Sequence, residues 1–251
     1  GRLWEAEPHK IPSCVECHQP HKIRRRTLSA QGAATGNCMK CHGDPEVKAV
    51  RDGVEVSMFV DEEAYAFSAH NQTACAQCHT GVDPQHPERA CAPITAQVDC
   101  SICHAEQVHE HELSRHGQLA EAGDEQVPVC LDCHGESHAI LSHRLPASPT
   151  FSRNVPELCG ECHAHGKVAD ERIDTTIPDI VDSYMHSAHG KGLLESGLVV
   201  SASCVDCHGA HRALGPDDPI SSVHDDNIPT TCGTCHRGIE EQFKQSIHYP
   251  G

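Results

Sequence analysis

Apolar side chains are sparse along this chain, and no cluster of them is long. The stretch from Gly197 to Ala202 is among the longest, and it falls far short of the ~20 apolar residues of a membrane-spanning helix. The most aromatic segment, Ser57 to Ala69 (SMFVDEEAYAFSA), predicts a short helix, with acidic residues near its start to suit the helix dipole. Pro8, Pro12 and Pro20 keep the first part of the chain irregular. The expected fold is mostly irregular coil with short α-helices and little β-structure.

Composition deepens the problem of a core. Of the 251 residues, 37% are hydrophobic and 3% aromatic, and the mean hydropathy is -0.46. Such a chain holds too little apolar material to pay the entropy of folding in the usual way. A formal net charge of -17 disfavours nucleic-acid partners. One basic run, Lys22 to Arg26, reads as a solvated face that neutralises acidic groups, with a docking patch for an acidic partner as the lesser reading.

The cysteines supply what the apolar residues do not. Of 17 cysteines, 16 fall into eight Cys-x-x-Cys units, each followed directly by histidine. The copies are Cys14, Cys17 and His18; Cys38, Cys41 and His42; Cys75, Cys78 and His79; and Cys100, Cys103 and His104. They continue with Cys130, Cys133 and His134; Cys159, Cys162 and His163; Cys204, Cys207 and His208; and Cys232, Cys235 and His236. This is the attachment sequence of a c-type haem. The two thiols add to the porphyrin vinyl groups, and the histidine lies beneath the iron. Structural zinc bound by four thiolates would not require a histidine after every second cysteine. Cysteines two residues apart also make poor mutual disulfides. The expected cofactor is therefore eight haem c groups, or about one for every 31 residues. The porphyrins would form the core, with the polypeptide as a thin wrapping. Covalent attachment takes place outside the cytoplasmic membrane. Gly1 to Lys10 is polar and is no signal peptide, so the expectation is an exported protein, periplasmic or extracellular, seen as a mature product or a fragment of one.

The motifs come in pairs, with first cysteines 24, 25, 29 and 28 residues apart and longer gaps between pairs. This predicts four two-haem units over residues 1–50, 51–112, 113–170 and 171–251, the last with a C-terminal tail, in an elongated, quasi-linear array. Units three and four agree closely. Each opens on a Ser-x-His-Gly, at His116 and His189, and each carries a histidine just after its first motif, His138 and His211. Asn154-Val155-Pro156 parallels Asn227-Ile228-Pro229. His224 stands where the other unit has Phe151, so it reads as a structural or propionate-contacting histidine rather than as an iron ligand. Unit two opens on His70 and carries His86, while unit one has His9 and His21. His109 and His111 are spare candidates. The tail ends on Ser246-Ile247-His248, another opening pattern. The unpaired Cys91 reads as a buried or incidental thiol, with an intermolecular disulfide or a lipid-like attachment as alternatives.

Fifteen histidines lie outside the motifs, against only three methionines, with Met39 held between Cys38 and Cys41. Histidine on both faces is thus the expected ligation, with His9, His21, His70, His86, His116, His138, His189, His211 and His248 as candidate distal ligands. Such ligation gives low potentials and closes the sixth position to substrates. No catalytic residue is expected. The predicted function is electron transfer along closely spaced haems.

The Ser-x-His-Gly openings and Cys-x-Asp-Cys-His-Gly-x-His closures make the chain resemble the multihaem c-type cytochromes of bacteria and archaea, most closely over residues 186–248. That resemblance implies periplasmic or extracellular electron transfer with other redox proteins as partners. Some members of the class polymerise into filaments and donate a histidine to a haem of the next copy, a role His248 would suit. Others are nitrite, hydroxylamine or tetrathionate reductases, which often carry a lysine or an open site at one haem. An electron-carrying subunit of a membrane-bound respiratory complex is a further alternative.

Overall fold

The computed structural model describes residues 38–51, 53–79, 98–173 and 179–249. Its described residues form eleven named helices, all but one of nine residues or fewer, and one two-stranded sheet. Two extended segments, β1 (Lys48–Arg51) and β2 (Val54–Ser57), pair antiparallel with Lys48 opposite Ser57 and Arg51 opposite Val54. Gly53, at φ +82°, supplies the left-handed turn between them. The helices are α1 (Glu62–Phe67), α2 (Cys75–Cys78), α3 (Ser101–Leu113), α4 (Arg115–Glu121), α5 (Cys130–His134) and α6 (Val155–His163). They continue as α7 (Ile180–Met185), α8 (Ala188–Leu194), α9 (Cys204–His208), α10 (Ile228–Gly233) and α11 (Arg237–Lys244). Residues 38–42 are helical as well. The helix expected from the aromatic segment is α1, started by the Asp61 carboxylate, which accepts from the Glu63 and Ala64 N–H groups.

The chain divides into two compact bodies. One runs to Ala105 and takes in Glu136–Ile140; the other comprises Glu106–Gly135 and the chain from Leu141.

Local polar devices set where several of the helices begin. The second spacer of the haem-attachment motif is one such device. Asp132 accepts from the Val129 N–H at 2.7 Å, Asp206 from the Ser203 N–H at 2.7 Å, and Gln77 from the Ala74 N–H at 2.9 Å. In each case the side chain in the first turn reaches back to an otherwise unpaired donor. The opening Ser-x-His-Gly is another. Ser114 and Ser187 cap α4 and α8 by accepting from the N–H groups of Gly117 and Gly190. A Cβ on Gly117 would overlap the His111 carbonyl oxygen, and one on Gly190 the Tyr184 carbonyl oxygen. The glycine in this pattern is required by close backbone approach.

Very little of this framework is an apolar core. Among the described residues the buried apolar side chains are Ala74, Val155, Pro156, Leu193 and Leu214, and beside them are five buried serines. The serines are satisfied internally. Ser221 Oγ donates to the Leu214 carbonyl at 3.1 Å, and Ser148 Oγ donates to that of Leu141 at 3.4 Å. Asn154 and Asn227 act as paired clamps. Each side-chain amide donates to two carbonyls, those of Pro146 and Ser148 in one repeat and of Pro219 and Ser221 in the other, at 2.8–2.9 Å. Large apolar residues meanwhile stand in the open. Ile102 and Leu131, the spacers of two motifs, are 59% and 42% exposed.

Candidate haem-ligating histidine pairs

Among the described residues the attachment motifs lie in or at the ends of helices, which brings their two thiols and one imidazole close together. Five of the motif imidazoles face a second histidine ring. His104 faces His70 and His79 faces His138, both with ring centroids 6.0 Å apart. His163 faces His116 at 6.1 Å, His134 faces His211 at 6.2 Å, and His236 faces His189 at 6.0 Å. Rings in ordinary aromatic contact fall anywhere between about 4.5 and 7 Å, so a single pair would say little. Here every pair joins a motif histidine to an opening or trailing histidine, and all share one spacing.

That spacing suits a metal ion between the rings. Two imidazole–metal bonds of about 2 Å, with ~1.2 Å from each ring nitrogen to its centroid, place opposed rings about 6.4 Å apart. The donor set fits as well, because two neutral imidazoles flanked by two thiols are what a covalently held haem uses. Burial holds His163 below its usual pKa, and burial with the neighbouring charges of His163 and His111 does the same for His116. Both rings are therefore kept unprotonated, as a ligand must be. The His42 Nδ1–H donates to the Met58 carbonyl at 2.8 Å, which fixes the tautomer and leaves Nε2 free for a metal.

The pairs follow a register. Opening histidines, His70, His116 and His189, face the second motif of their own unit. Trailing histidines, His138 and His211, face the first motif of the preceding unit. A backbone bond repeats this second relation. The Ala69 N–H donates to the Ile140 carbonyl at 2.7 Å, and the Arg115 N–H donates to that of Ala213 at 2.8 Å. In both cases the residue before an opening histidine is tied to the residue two beyond a trailing one.

The motifs are also close to one another. Cys159 is hydrogen-bonded to Cys204, which together with burial pushes the Cys159 thiol well up. Burial raises the Cys133, Cys78 and Cys207 thiols, and each lies near thiols of the next motif: Cys162, Cys103, and Cys232 with Cys235. These thiols belong to consecutive motifs.

His42 and His208 meet no second ring at this spacing among the described residues. His248 is exposed, and its N–H is bonded to Ser246 Oγ at 3.2 Å, as the His70 N–H is to Ser68 Oγ. His9, His18, His21 and His86, with Cys14, Cys17 and Cys91, lie outside the described residues. Other histidines serve carboxylates. His165 lies 3.2 Å from Asp170 and 3.0 Å from Asp179, and His109 lies 3.8 Å from Glu112. His224 Nδ1 accepts from the Asp226 N–H at 3.3 Å, in keeping with a structural role. Two tyrosines escaped the sequence reading. Tyr65 and Tyr184 donate to the carbonyls of Thr73 and Ala202, each two residues before a first-motif cysteine. Their shared register, five residues before the opening histidine, is the signal that would have found them.

Comparison with known proteins agrees with this chemistry. The chain is similar to a protein named multiheme cytochrome MtrA from Shewanella baltica (strain OS185), with 25% identity over 238 residues. The match covers 86% of this chain and 58% of that protein, so the chain spans rather more than half of its relative's length. No family model matches the chain, and no solved structure does. No helix among the described residues is long and apolar enough to cross a membrane.

Proposed function

We propose that this chain is a multihaem c-type cytochrome that carries electrons and acts on no substrate of its own. The observation that carries the reading is the set of five histidine pairs, each joining an attachment motif to a second imidazole at 6.0–6.2 Å. The haems, once bound, supply reversible one-electron chemistry, and electrons hop between neighbouring irons. The protein's own residues do the rest. The cysteines would tether the haems, and the motif histidines together with His70, His116, His138, His189 and His211 would ligate the irons. The packing of α9 against α6, which carry consecutive motifs, keeps neighbouring cofactors close. Exposed apolar spacers such as Ile102 and Leu131 are the surface that the porphyrins cover.

Extended along the sequence, the register assigns His9 to the iron above His42 and His86 to that above His18, completing eight haems from residues 1–251 except at His208. His248 has the cap of an opening histidine, which supports a role as ligand to a haem of a neighbouring copy or redox partner. Covalent haem attachment places the protein outside the cytoplasmic membrane, in the periplasm or beyond the cell.

The test is the dithionite-reduced visible spectrum with haem quantification, recorded with and without carbon monoxide. Eight low-spin haems, with at most the one above His208 responding to carbon monoxide, is the expected result. An open haem elsewhere, with turnover of nitrite, hydroxylamine or a sulfur oxyanion, would make the protein a reductase. A colourless protein would refute the reading. Native mass at high concentration tests the role of His248, since a strict monomer with no bound redox partner rules it out.

A further inference from the structure

We infer that Tyr65 and Tyr184 are positioning residues that lock the two haem sites of their unit to one another. The inference rests on the multihaem reading above. Each phenol makes one bond, and the two bonds are the same bond. Tyr65 lies in α1, five residues before the opening His70, and donates to the carbonyl of Thr73, two residues before Cys75. Tyr184 lies in α7, five residues before the opening His189, and donates at 2.8 Å to the carbonyl of Ala202, two residues before Cys204. One end of each bond therefore lies just ahead of the opening histidine, His70 or His189, that faces the second motif's His104 or His236. The other end belongs to the residue that leads into the first motif.

Both phenols are part-buried beside the thiols of that first motif. Burial is the leading cause that raises each phenol's pKa. The hydroxyl is thus a donor that stays protonated and has a single acceptor to serve. Such a strap restricts how the opening histidine can swing relative to the thioether helix. The ring of His189 is tilted 36° from that of His236, and the ring of His70 is tilted 62° from that of His104. With no strap these angles have less to hold them. Unit three provides the contrast within the chain: its corresponding positions are His111 and Pro128, and the phenol is missing.

The experiment compares the native holoprotein with Tyr184→Phe and Tyr65→Phe by haem quantification and low-spin electron paramagnetic resonance. Phenylalanine keeps the ring and deletes only the donated bond. In Tyr184→Phe the expected result is full haem loading, with one line, about one-eighth of the total intensity, moved from its native position, because ligand orientation sets the line. Tyr65→Phe should move a different line by the same logic. Unchanged lines in both variants would overturn the inference. So would haem loss from both, which would mark the tyrosines as needed for folding and not for spacing. A native protein without eight haems would instead sink the multihaem reading itself, before any variant is compared.

Discussion

Replacing His116 with alanine isolates one ligand of one haem. His116 and His163 sit in the same body with ring centroids 6.1 Å apart, and burial holds both unprotonated. Half of that separation, about 3 Å, is the distance from the position of a central iron to the ring that is lost, which is room enough for a diatomic ligand. The other seven haems have ligands untouched by the change. Carbon-monoxide binding should therefore rise by one equivalent per protein, and about one-eighth of the reduced Soret absorbance should shift. His116→Met should keep the sixth position filled and raise the potential of the same haem. Axial ligation spans about 0.8 V across haem proteins, and a rise of ~0.1 V is about 2.3 kcal/mol of added preference for the reduced state. Titration by spectroelectrochemistry should show one-eighth of the signal moving. His165→Ala is the control, since His165 contacts Asp170 and Asp179 and faces no motif histidine. The reasoning is refuted if His116→Ala gains no carbon-monoxide site, or if His165→Ala gains the same one.

Three other perturbations probe the framework. Gly190→Ala puts a methyl group against the Tyr184 carbonyl, whereas Gly215→Ala meets nothing within 4 Å; denaturant unfolding should show a loss of about 1–3 kcal/mol for the first and little change for the second. Asn227→Ala removes the donor shared by the Pro219 and Ser221 carbonyls, and should cost about 1–3 kcal/mol by thermal unfolding, with Asn154→Ala behaving alike. The Arg172 guanidinium, hydrogen-bonded to Asp124, holds that carboxyl below its usual range; its contribution is present above the ordinary carboxylate pKa and is lost as pH falls through the depressed value, so Arg172→Gln should lower stability near neutrality, converge with the native protein at low pH and so flatten the acid limb of a stability–pH curve.

The legibility of this chain was uneven for physical reasons. The attachment motifs stand out because a covalent cofactor demands fixed residues at fixed spacing, and the short helices and sparse sheet follow from the missing apolar periodicity. The opening and trailing histidines of units three and four were visible as repeats, and the structure brings all four, with His70 of unit two, to motif rings. Which histidine meets which motif was not legible. His138 lies 59 residues from His79 and four from His134, yet it faces the distant one, because a trailing histidine points away from its own motif helix. The two tyrosine straps were missed because a single phenol donating to a backbone carbonyl leaves no spacing of cysteines to betray it. The Asn-x-Pro parallel was noticed as a likeness, but its purpose, a clamp on two carbonyls, becomes visible only once the backbone is folded.

The trailing-histidine register has a consequence for how the protein is made. His79 and His134 receive their partners from 59 and 77 residues further along the chain. A chain crossing a membrane from its N-terminus delivers each of these motifs well before the imidazole that closes it. On the proposed reading, each such haem would wait with one side of its iron open until the following repeat arrives, and a chain halted between repeats would leave that iron open to stray ligands and oxidants.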